Sequence, residues 1–267
     1  MLNKITSSTK YKILYRSIIK FINANFINNA QFLPHGTDRV YHIHVRKSGG
    51  SSVNEAFWKL ANYNLNKAKR EPLLIGNNRS IVRYSDKLIN EGNFFYASSH
   101  FPIWELDLLP NTFTFTILRE PYERLVSLYR YYKWVEQTDE VDGFKIDPSF
   151  PVLKSQTHLL NKNFSEFIDN LSQKYLYGNL YMFDKDLNVD SAILELEKVD
   201  CVLFQDNLSS GIQILQSKLN LESLCLPEKP SRRFDHVYFT ITKEEEEKAK
   251  SLLAVEFDFF VKAKSLF

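Results

Sequence analysis

Residues 40–53 read Val-Tyr-His-Ile-His-Val-Arg-Lys-Ser-Gly-Gly-Ser-Ser-Val and indicate a strand, a glycine turn and the start of a helix. The apolar pattern of residues 40–45 predicts a short strand, and apolar residues at helical spacing predict a helix over 51–62. The chain has 8 glycines, where average usage would give roughly 19, yet two of them, Gly49 and Gly50, stand together in this turn. We infer that the turn needs the backbone freedom of glycine.

Strands and helices continue to alternate outward from this turn. Apolar runs predict further strands at 94–97, 113–118 and 201–204, and helical spacing predicts helices at 121–135, 210–219 and 243–264. Thr242 and Glu245 form the pattern of a capping box at the start of the last helix. This alternation predicts an α/β fold with a central, mostly parallel sheet flanked by helices.

The length of 267 residues fits one large domain with additions. We predict a helical N-terminal extension over residues 1–35 and a single α/β domain over residues 36–267. Residues 137–155 interrupt the alternation of strands and helices with a loop rich in Asp, Glu, Gly and Pro. Such a loop within a domain is a lid or an acceptor-binding loop, or is locally disordered.

The apolar stretch at residues 11–22 contains Lys12, Arg16 and Lys20, so it resembles neither a membrane span nor the centre of a signal peptide. Because the positive residues recur at every fourth position, they lie on one face of a helix whose remaining surface is apolar. We expect this helix to pack on the body of the protein. Attachment to an anionic membrane surface is the alternative.

Charge and cysteine content argue against several classes of protein. Lys and Arg number 34 and Asp and Glu number 32, and a net charge of +2 argues against a nucleic-acid partner. With only Cys201, Cys225 and six histidines, neither a disulfide framework nor a Cys-rich zinc site is expected. We therefore expect a cytoplasmic protein that needs no metal.

The glycine turn has the features of an anion-binding loop. A strand, a turn and a helix N-terminus direct backbone N–H groups and the positive end of the helix dipole at one point. Lys47 adds a positive charge, and Ser51 and Ser52 add hydroxyl donors. Because Lys47 precedes the glycines, the pattern differs from the common nucleoside-triphosphate loop, in which lysine follows them. A tight turn with a solvated lysine is the alternative.

A second basic site follows the predicted strand at 113–118. Arg119 stands at the carboxyl end of that strand, where such sheets bind ligands, and its guanidinium fork suits a phosphate. Ser127 follows about two helical turns later. Residues 114–118 contain no Asp of the kind that holds Mg²⁺ in nucleotide triphosphatases. An Arg–Glu pair at a surface corner would explain the same residues.

Together the two sites resemble those of the sulfotransferases that use 3′-phosphoadenosine-5′-phosphosulfate (PAPS), in particular the carbohydrate branch. Residues 44–53 resemble the family's 5′-phosphosulfate loop, although Arg46 and Ser48 replace the usual Pro and Thr. Residues 116–129, Thr-Ile-Leu-Arg-Glu-Pro-Tyr-Glu-Arg-Leu-Val-Ser-Leu-Tyr, resemble its 3′-phosphate segment. Residues 98–102, Ser-Ser-His-Phe-Pro, resemble its middle segment, and the similarity extends more loosely over residues 40–265.

The resemblance implies a P-loop-like sulfotransferase fold and transfer of a sulfuryl group from PAPS to a hydroxyl or an amine. The product would be adenosine 3′,5′-bisphosphate (PAP), with Lys47 acting at the leaving phosphate. The 3′-phosphate would contact Arg119 and Ser127, and also Arg232 and Arg233, for which a solvated basic loop is an equal alternative. The residues expected to bind the 5′-phosphosulfate are Arg46, Lys47, Ser48, Gly49, Gly50, Ser51 and Ser52.

An acceptor hydroxyl needs a base, and His100 is the first candidate. Its ordinary pKa suits proton transfer, and it follows a strand at the expected edge of the sheet. Glu55, one turn into the helix after the loop, is the second candidate, with a surface carboxylate near the helix N-terminus as its alternative. We expect His42 and His44, which lie within the first predicted strand, to be packed or hydrogen-bonded there.

The acceptor is expected to be a small molecule or a saccharide that contacts Gln156, His158 and Trp134. Two other functions stay open. A nucleotide-dependent kinase on a related sheet would need Mg²⁺, and a non-catalytic nucleotide or glycan binder would show no turnover. The sequence also leaves open whether the chain pairs with a second copy.

Overall fold

The fold is known from a computed structural model that describes residues 9–62, 71–137, 140–141, 144–145, 156–221, 223–226 and 237–267. Its strands are β1 (Arg39–Ile43), β2 (Leu73–Gly76), β3 (Arg79–Arg83), β4 (Tyr96–Ser99), β5 (Thr112–Leu118), β6 (Glu140–Val141), β7 (Phe144–Lys145) and β8 (Cys201–Phe204). One six-stranded sheet has the order β2-β3-β4-β1-β5-β8, and β6 and β7 form a separate hairpin. Within the six-stranded sheet only β2 runs antiparallel to its neighbour, which confirms the predicted mostly parallel sheet.

Helices flank this sheet. In chain order they are α1 (Thr9–Phe26), α2 (Gly50–Leu60), α3 (Asp86–Glu91), α4 (Pro121–Gln137), α5 (Phe164–Asp169), α6 (Gln173–Leu176), α7 (Gly178–Tyr181), α8 (Val189–Leu196), α9 (Leu208–Lys218), α10 (Lys243–Leu252) and α11 (Ala254–Leu266). The structure describes no helix long and apolar enough to cross a membrane. Of the predicted loop at 137–155, the described residues include only Gln137 and the hairpin β6–β7.

The predicted single helix at 243–264 is wrong, because the chain bends at Leu253 between α10 and α11. The capping box of Thr242 and Glu245 is present at the start of α10. Leu253 packs into a cluster with α4 and α5, whereas Phe259 of α11 packs against the face of the sheet that α8 covers. The bend therefore lets the two segments bury their apolar residues in different clusters.

The edge hairpin β2–β3 did not emerge from the sequence analysis. Its turn consists of Asn77 and Asn78, both with positive φ (48° and 57°). Two such residues between apolar runs are a recognised hairpin signal, because the backbone twist of this turn matches the twist of the strands. The Asn77-Asn78 pair is a weaker hairpin signal than an Asn-Gly pair.

The two faces of the sheet bury separate clusters of apolar side chains. Val40 and Phe115 pack on the side of α2 and α9, and Tyr41 and Ile43 pack on the side of α8 and α11. Successive residues of β1 thus alternate between the faces, as a doubly covered strand requires. Because β1, β4 and β5 run parallel to one another, their carboxyl ends lie side by side at one edge of the sheet.

Candidate active site

The loop between β1 and α2 lies at this carboxyl edge. Lys47 and Gly49 have left-handed backbone conformations, with φ values of 67° and 89°. Left-handed residues in a turn can direct successive N–H groups toward one point, which is a common way to bind an anion. The loop thus has the backbone shape that the sequence predicts for an anion cradle.

Gly50 begins α2 directly above two imidazole rings. A β-carbon at this position would lie 2.5 Å from Nε2 of His44 and 2.7 Å from Cε1 of His42. Both distances are shorter than van der Waals contact, so any larger residue would push the helix off the strand. The glycine pair therefore serves two purposes, since Gly49 allows the turn and Gly50 allows the close approach.

A buried polar network fixes the start of α2 to the sheet. The hydroxyl of Tyr96 donates to Oδ1 of Asn54 at 2.5 Å, and Nδ1 of His42 lies 3.0 Å from the same Oδ1 atom. Nδ2 of Asn54 donates to Nδ1 of His44 at 3.3 Å. Burial lowers the pKa of His42 to about 4 and the pKa of His44 well below 6.5, so both rings are neutral. Both histidines are buried and hydrogen-bonded, as the sequence predicts, although His44 lies just beyond the end of β1.

Arg119 joins the two sites that the sequence singled out separately. It follows β5, and its Nη1 donates to the carbonyl of Lys47 at 3.2 Å. Its Nη2 pairs with the exposed carboxylate of Glu123 at 3.3 Å, so the Arg–Glu pair considered as an alternative is also present. One guanidinium therefore contacts both the glycine loop and the first turn of α4.

Asn179 holds the backbone at Arg119 in place. Its Nδ2 donates to the carbonyl of Arg119 at 2.9 Å, and its own N–H donates to Glu256 at 2.6 Å. Glu256 in turn pairs with Arg124 at 3.1 Å, and both side chains are fully buried. Sequence analysis missed this group because its members come from distant segments and no local pattern connects them.

Several buried polar atoms at this edge lack a hydrogen-bond partner among the described residues. They include Oγ of Ser48, Nε of Arg46 and Nε of Arg119. A buried donor without a partner costs about 1–3 kcal/mol, so natural proteins usually supply one. The pattern fits a loop that receives an anionic ligand.

His100 directly follows β4 and contacts the same loop. Its Nδ1 lies 2.7 Å from the carbonyl of His44, so Nδ1 carries the hydrogen and donates it. Nε2 consequently keeps its lone pair in the neutral ring. Burial, and then the positive charge of Arg46, hold the pKa of His100 well below 6.5. The ring is therefore neutral, and its lone pair can accept a proton, but it is a weaker base than the ordinary pKa assumed from the sequence implies.

Gln156 and Trp134 connect to the loop through two tyrosines. Nε2 of Gln156 donates to the hydroxyl of Tyr175 at 2.5 Å, and the guanidinium of Arg46 lies 5.2 Å from the Tyr175 ring. Trp134 packs against the ring of Tyr131, and Nζ of Lys47 lies 5.0 Å from that ring. An aromatic and amide surface thus lies beside the basic loop.

The remaining candidate residues lie on α2, on α4, in a separate short turn or outside the described residues. Glu55 pairs with Lys59 along α2 at 3.4 Å, and within the described ranges no hydrogen bond or ion pair joins it to His100. His158 is exposed in a short turn at Thr157–Leu159. Ser51 and Ser52 lie in the first turn of α2, and Ser127 is half-buried on α4. Arg232 and Arg233 fall outside the described residues.

In the parts of the chain that the structure describes, no cluster of three or more His, Cys, Asp or Glu side chains could hold a metal ion. The residues that the structure brings together offer a positive loop, a neutral imidazole and a neighbouring arginine.

Comparison with known proteins identifies the family of this chain. A solved structure of mouse sulfotransferase SULT7A1 complexed with PAP is similar over 88% of this chain and 91% of that chain, at 10% identity and a TM-score of 0.36. No match was found among curated proteins. A family model described as "Sulfotransferase family" matches residues 30–254, which span both the glycine loop and Arg119. The chain therefore belongs to the sulfotransferase family.

Proposed function

We propose that the protein transfers a sulfuryl group from PAPS to a hydroxyl or amine of a small-molecule or saccharide acceptor. The observation that carries this proposal is the hydrogen bond from Arg119 to the carbonyl of Lys47. It joins the candidate 5′-phosphosulfate loop to the candidate 3′-phosphate arginine at one sheet edge. A cofactor with phosphates on both sides of its ribose could contact both.

The residues at this edge fit the two charged ends of PAPS. The loop from Arg46 to Ser52 would hold the 5′-phosphosulfate. Oγ of Ser48 and Nε of Arg46 are buried donors without a hydrogen-bond partner in the described part of the chain. Arg119 and Ser127 would hold the 3′-phosphate, and this assignment is supported by Nε of Arg119, which has no hydrogen-bond partner among the described residues. PAPS supplies an activated sulfuryl group when it is bound.

Lys47 would act on the leaving phosphate. Breaking the bond to the sulfuryl group develops negative charge on the phosphate oxygen, and positive groups already in place lower that barrier. The left-handed backbone at Lys47 belongs to the same loop whose N–H groups would surround this oxygen. The ammonium and the loop amides would therefore stabilise the same charge.

His100 would take the proton from the acceptor. Its Nδ1–H is held by the carbonyl of His44, which fixes the orientation of the ring and leaves Nε2 as the basic atom. Gln156 and Trp134 lie beside loop residues through Tyr175 and Tyr131, and they would line the acceptor side. The base and the acceptor surface would thus face the same loop.

Binding of PAP tests the cofactor assignment directly. PAP should raise the melting temperature without added Mg²⁺, because a ligand that binds only the folded state stabilises it. Thermal unfolding with PAP, ATP and a chelator makes the measurement. Binding that needs Mg²⁺, or that favours ATP over PAP, would instead support the kinase.

Arg119→Ala should weaken PAP binding by about 2–4 kcal/mol, because the phosphate loses a charged, forked donor. The variant should also lose its preference for PAP over adenosine 5′-phosphate, which calorimetry can measure. Glu123→Ala serves as a matched control, because it removes the carboxylate that pairs with Arg119 and leaves the guanidinium in place. An unchanged preference in Arg119→Ala would mean that another residue holds the 3′-phosphate.

Arg46→Ala should move the acid limb of the pH profile to higher pH. A positive charge near His100 lowers its pKa, so removing Arg46 lets the pKa rise. Only the neutral imidazole accepts a proton, so the unaltered protein should keep its turnover of an alcohol below pH 6.5. As the pH falls, the variant should lose turnover at a higher pH than the unaltered protein does. Lys59→Ala, on the exposed side of α2, is the control. An identical pH midpoint in both variants would contradict the assignment.

A further inference from the structure

Helix α1 directs a polar stripe toward the protein and leaves an apolar stripe exposed. Arg16, Lys20 and Asn23 form one stripe at i, i+4 and i+7, and this stripe faces the protein. Arg16 pairs with Glu71 at 2.8 Å, Lys20 pairs with Glu91 at 2.6 Å, and Nδ2 of Asn23 donates to the carbonyl of Asn93 at 2.5 Å. The helix is thus attached by these polar contacts together with Ile19, which packs against the apolar cluster on one face of the sheet.

The opposite stripe is apolar and faces solvent. Leu14, Ile18 and Phe21 repeat the same spacing two residues earlier, which is about 200° around the helix. Their exposed fractions are 59%, 48% and 60%, and Ile13 at 59% and Phe26 at 68% extend the surface. A continuous apolar patch of this kind on an ordered helix usually marks an interaction site.

The charge of this region indicates what covers the patch. Residues 1–37 contain four lysines and one arginine and no Asp or Glu, although the whole chain has a net charge of only +2. Two such helices placed face to face would bring like charges together, which disfavours a second copy as the partner. Arg16 and Lys20 are paired with Glu71 and Glu91, so the remaining positive charge of this segment comes from Lys4, Lys10 and Lys12. An exposed apolar face beside such a positively charged segment complements an anionic lipid surface.

We propose that the apolar face of α1, formed by Ile13, Leu14, Ile18, Phe21 and Phe26, docks the protein on anionic lipid. The helix lies in the interface, its apolar side chains enter the acyl boundary, and the lysines of the N-terminal segment add electrostatic attraction to the headgroups. The protein-facing stripe keeps the domain attached at the membrane surface. This proposal is independent of the transfer reaction, since none of these side chains belongs to the candidate active site.

Co-sedimentation with vesicles tests this docking. The full chain should bind vesicles of phosphatidylcholine mixed with phosphatidylserine, bind pure phosphatidylcholine weakly, and release as salt rises. The triple variant Leu14→Ser, Ile18→Ser, Phe21→Ser should lower the partition coefficient at least ~10-fold, because three apolar side chains no longer enter the lipid. Lys12→Glu should weaken binding to the anionic vesicles alone.

A matched control distinguishes vesicle binding through the apolar face of α1 from nonspecific binding through other exposed apolar side chains. Leu194→Ser, Ile214→Ser, Val261→Ser removes side chains that are equally exposed, at 61%, 53% and 63%, but lie on α8, α9 and α11. This control should bind vesicles like the unaltered chain, and both triple variants should keep PAP binding in solution. Equal losses in the two triple variants, or no vesicle binding by the full chain, would overturn the proposal. So would a solution dimer that dissociates only in the α1 variant.

Discussion

His100→Ala should lower turnover of an alcohol acceptor by about 10²–10⁴-fold while leaving PAP affinity nearly unchanged, because the reaction loses its base and the cofactor loses no contact. An acidic phenol that is already ionised needs no base, so the same variant should retain much more activity on a nitrophenol. Steady-state rates on the two acceptors make this comparison, and PAP affinity reports whether the site is still intact.

Lys47→Ala gives the contrasting pattern. Lys47 is proposed to act on the leaving group, so its loss should lower turnover for the alcohol and the phenol alike. His158→Ala is a suitable histidine control, because His158 is exposed and lies on a separate turn. If His100→Ala loses alcohol and phenol transfer equally, His100 is structural and Glu55 becomes the leading candidate for the base.

Glu256→Ala should destabilise the protein by about 3–5 kcal/mol, because it leaves the guanidinium of Arg124 buried without its counter-charge. Both side chains are fully buried and lie 3.1 Å apart. The variant also removes the acceptor for the N–H of Asn179. Chemical denaturation measures the change in the free energy of unfolding.

Glu247→Ala is the matched control for Glu256→Ala. Glu247 pairs with Lys243 on the surface of α10, where the two side chains are 68% and 91% exposed. An exposed pair contributes about 0–1 kcal/mol, so this variant should stay close to the unaltered stability. Similar losses in the two variants would show that the buried pair contributes no more than a surface pair.

The protein-facing polar stripe of α1 explains how one sequence pattern supported two interpretations. A basic face with an apolar remainder predicted packing on the body, with a membrane surface as the alternative. The structure shows contacts of the first kind through Arg16, Lys20 and Asn23. It also leaves Leu14, Ile18 and Phe21 uncovered, which no periodicity argument could reveal, because periodicity does not say which face meets the protein.

Local patterns determined most of the fold and the main candidate residues. The run of strand, glycine pair and helix at residues 40–60 is visible in the sequence, because apolar period and turn chemistry act between near neighbours. Arg119 is visible for the same reason, since it directly follows the clearest strand. Resemblance to a known family then placed both sites in one reaction, and the match over residues 30–254 confirmed that family.

Tertiary structure alone decided how those residues are held. Asn54 accepts a hydrogen bond from Tyr96, and Asn179 donates one to the carbonyl of Arg119. Glu256, on the last helix, accepts a hydrogen bond from the N–H of Asn179. The partners are separated by 42 to 77 residues, and each is an ordinary polar residue in its own segment. Their pairing follows from the order of the strands and from the need to satisfy buried polar groups, and both arise only once the sheet has formed.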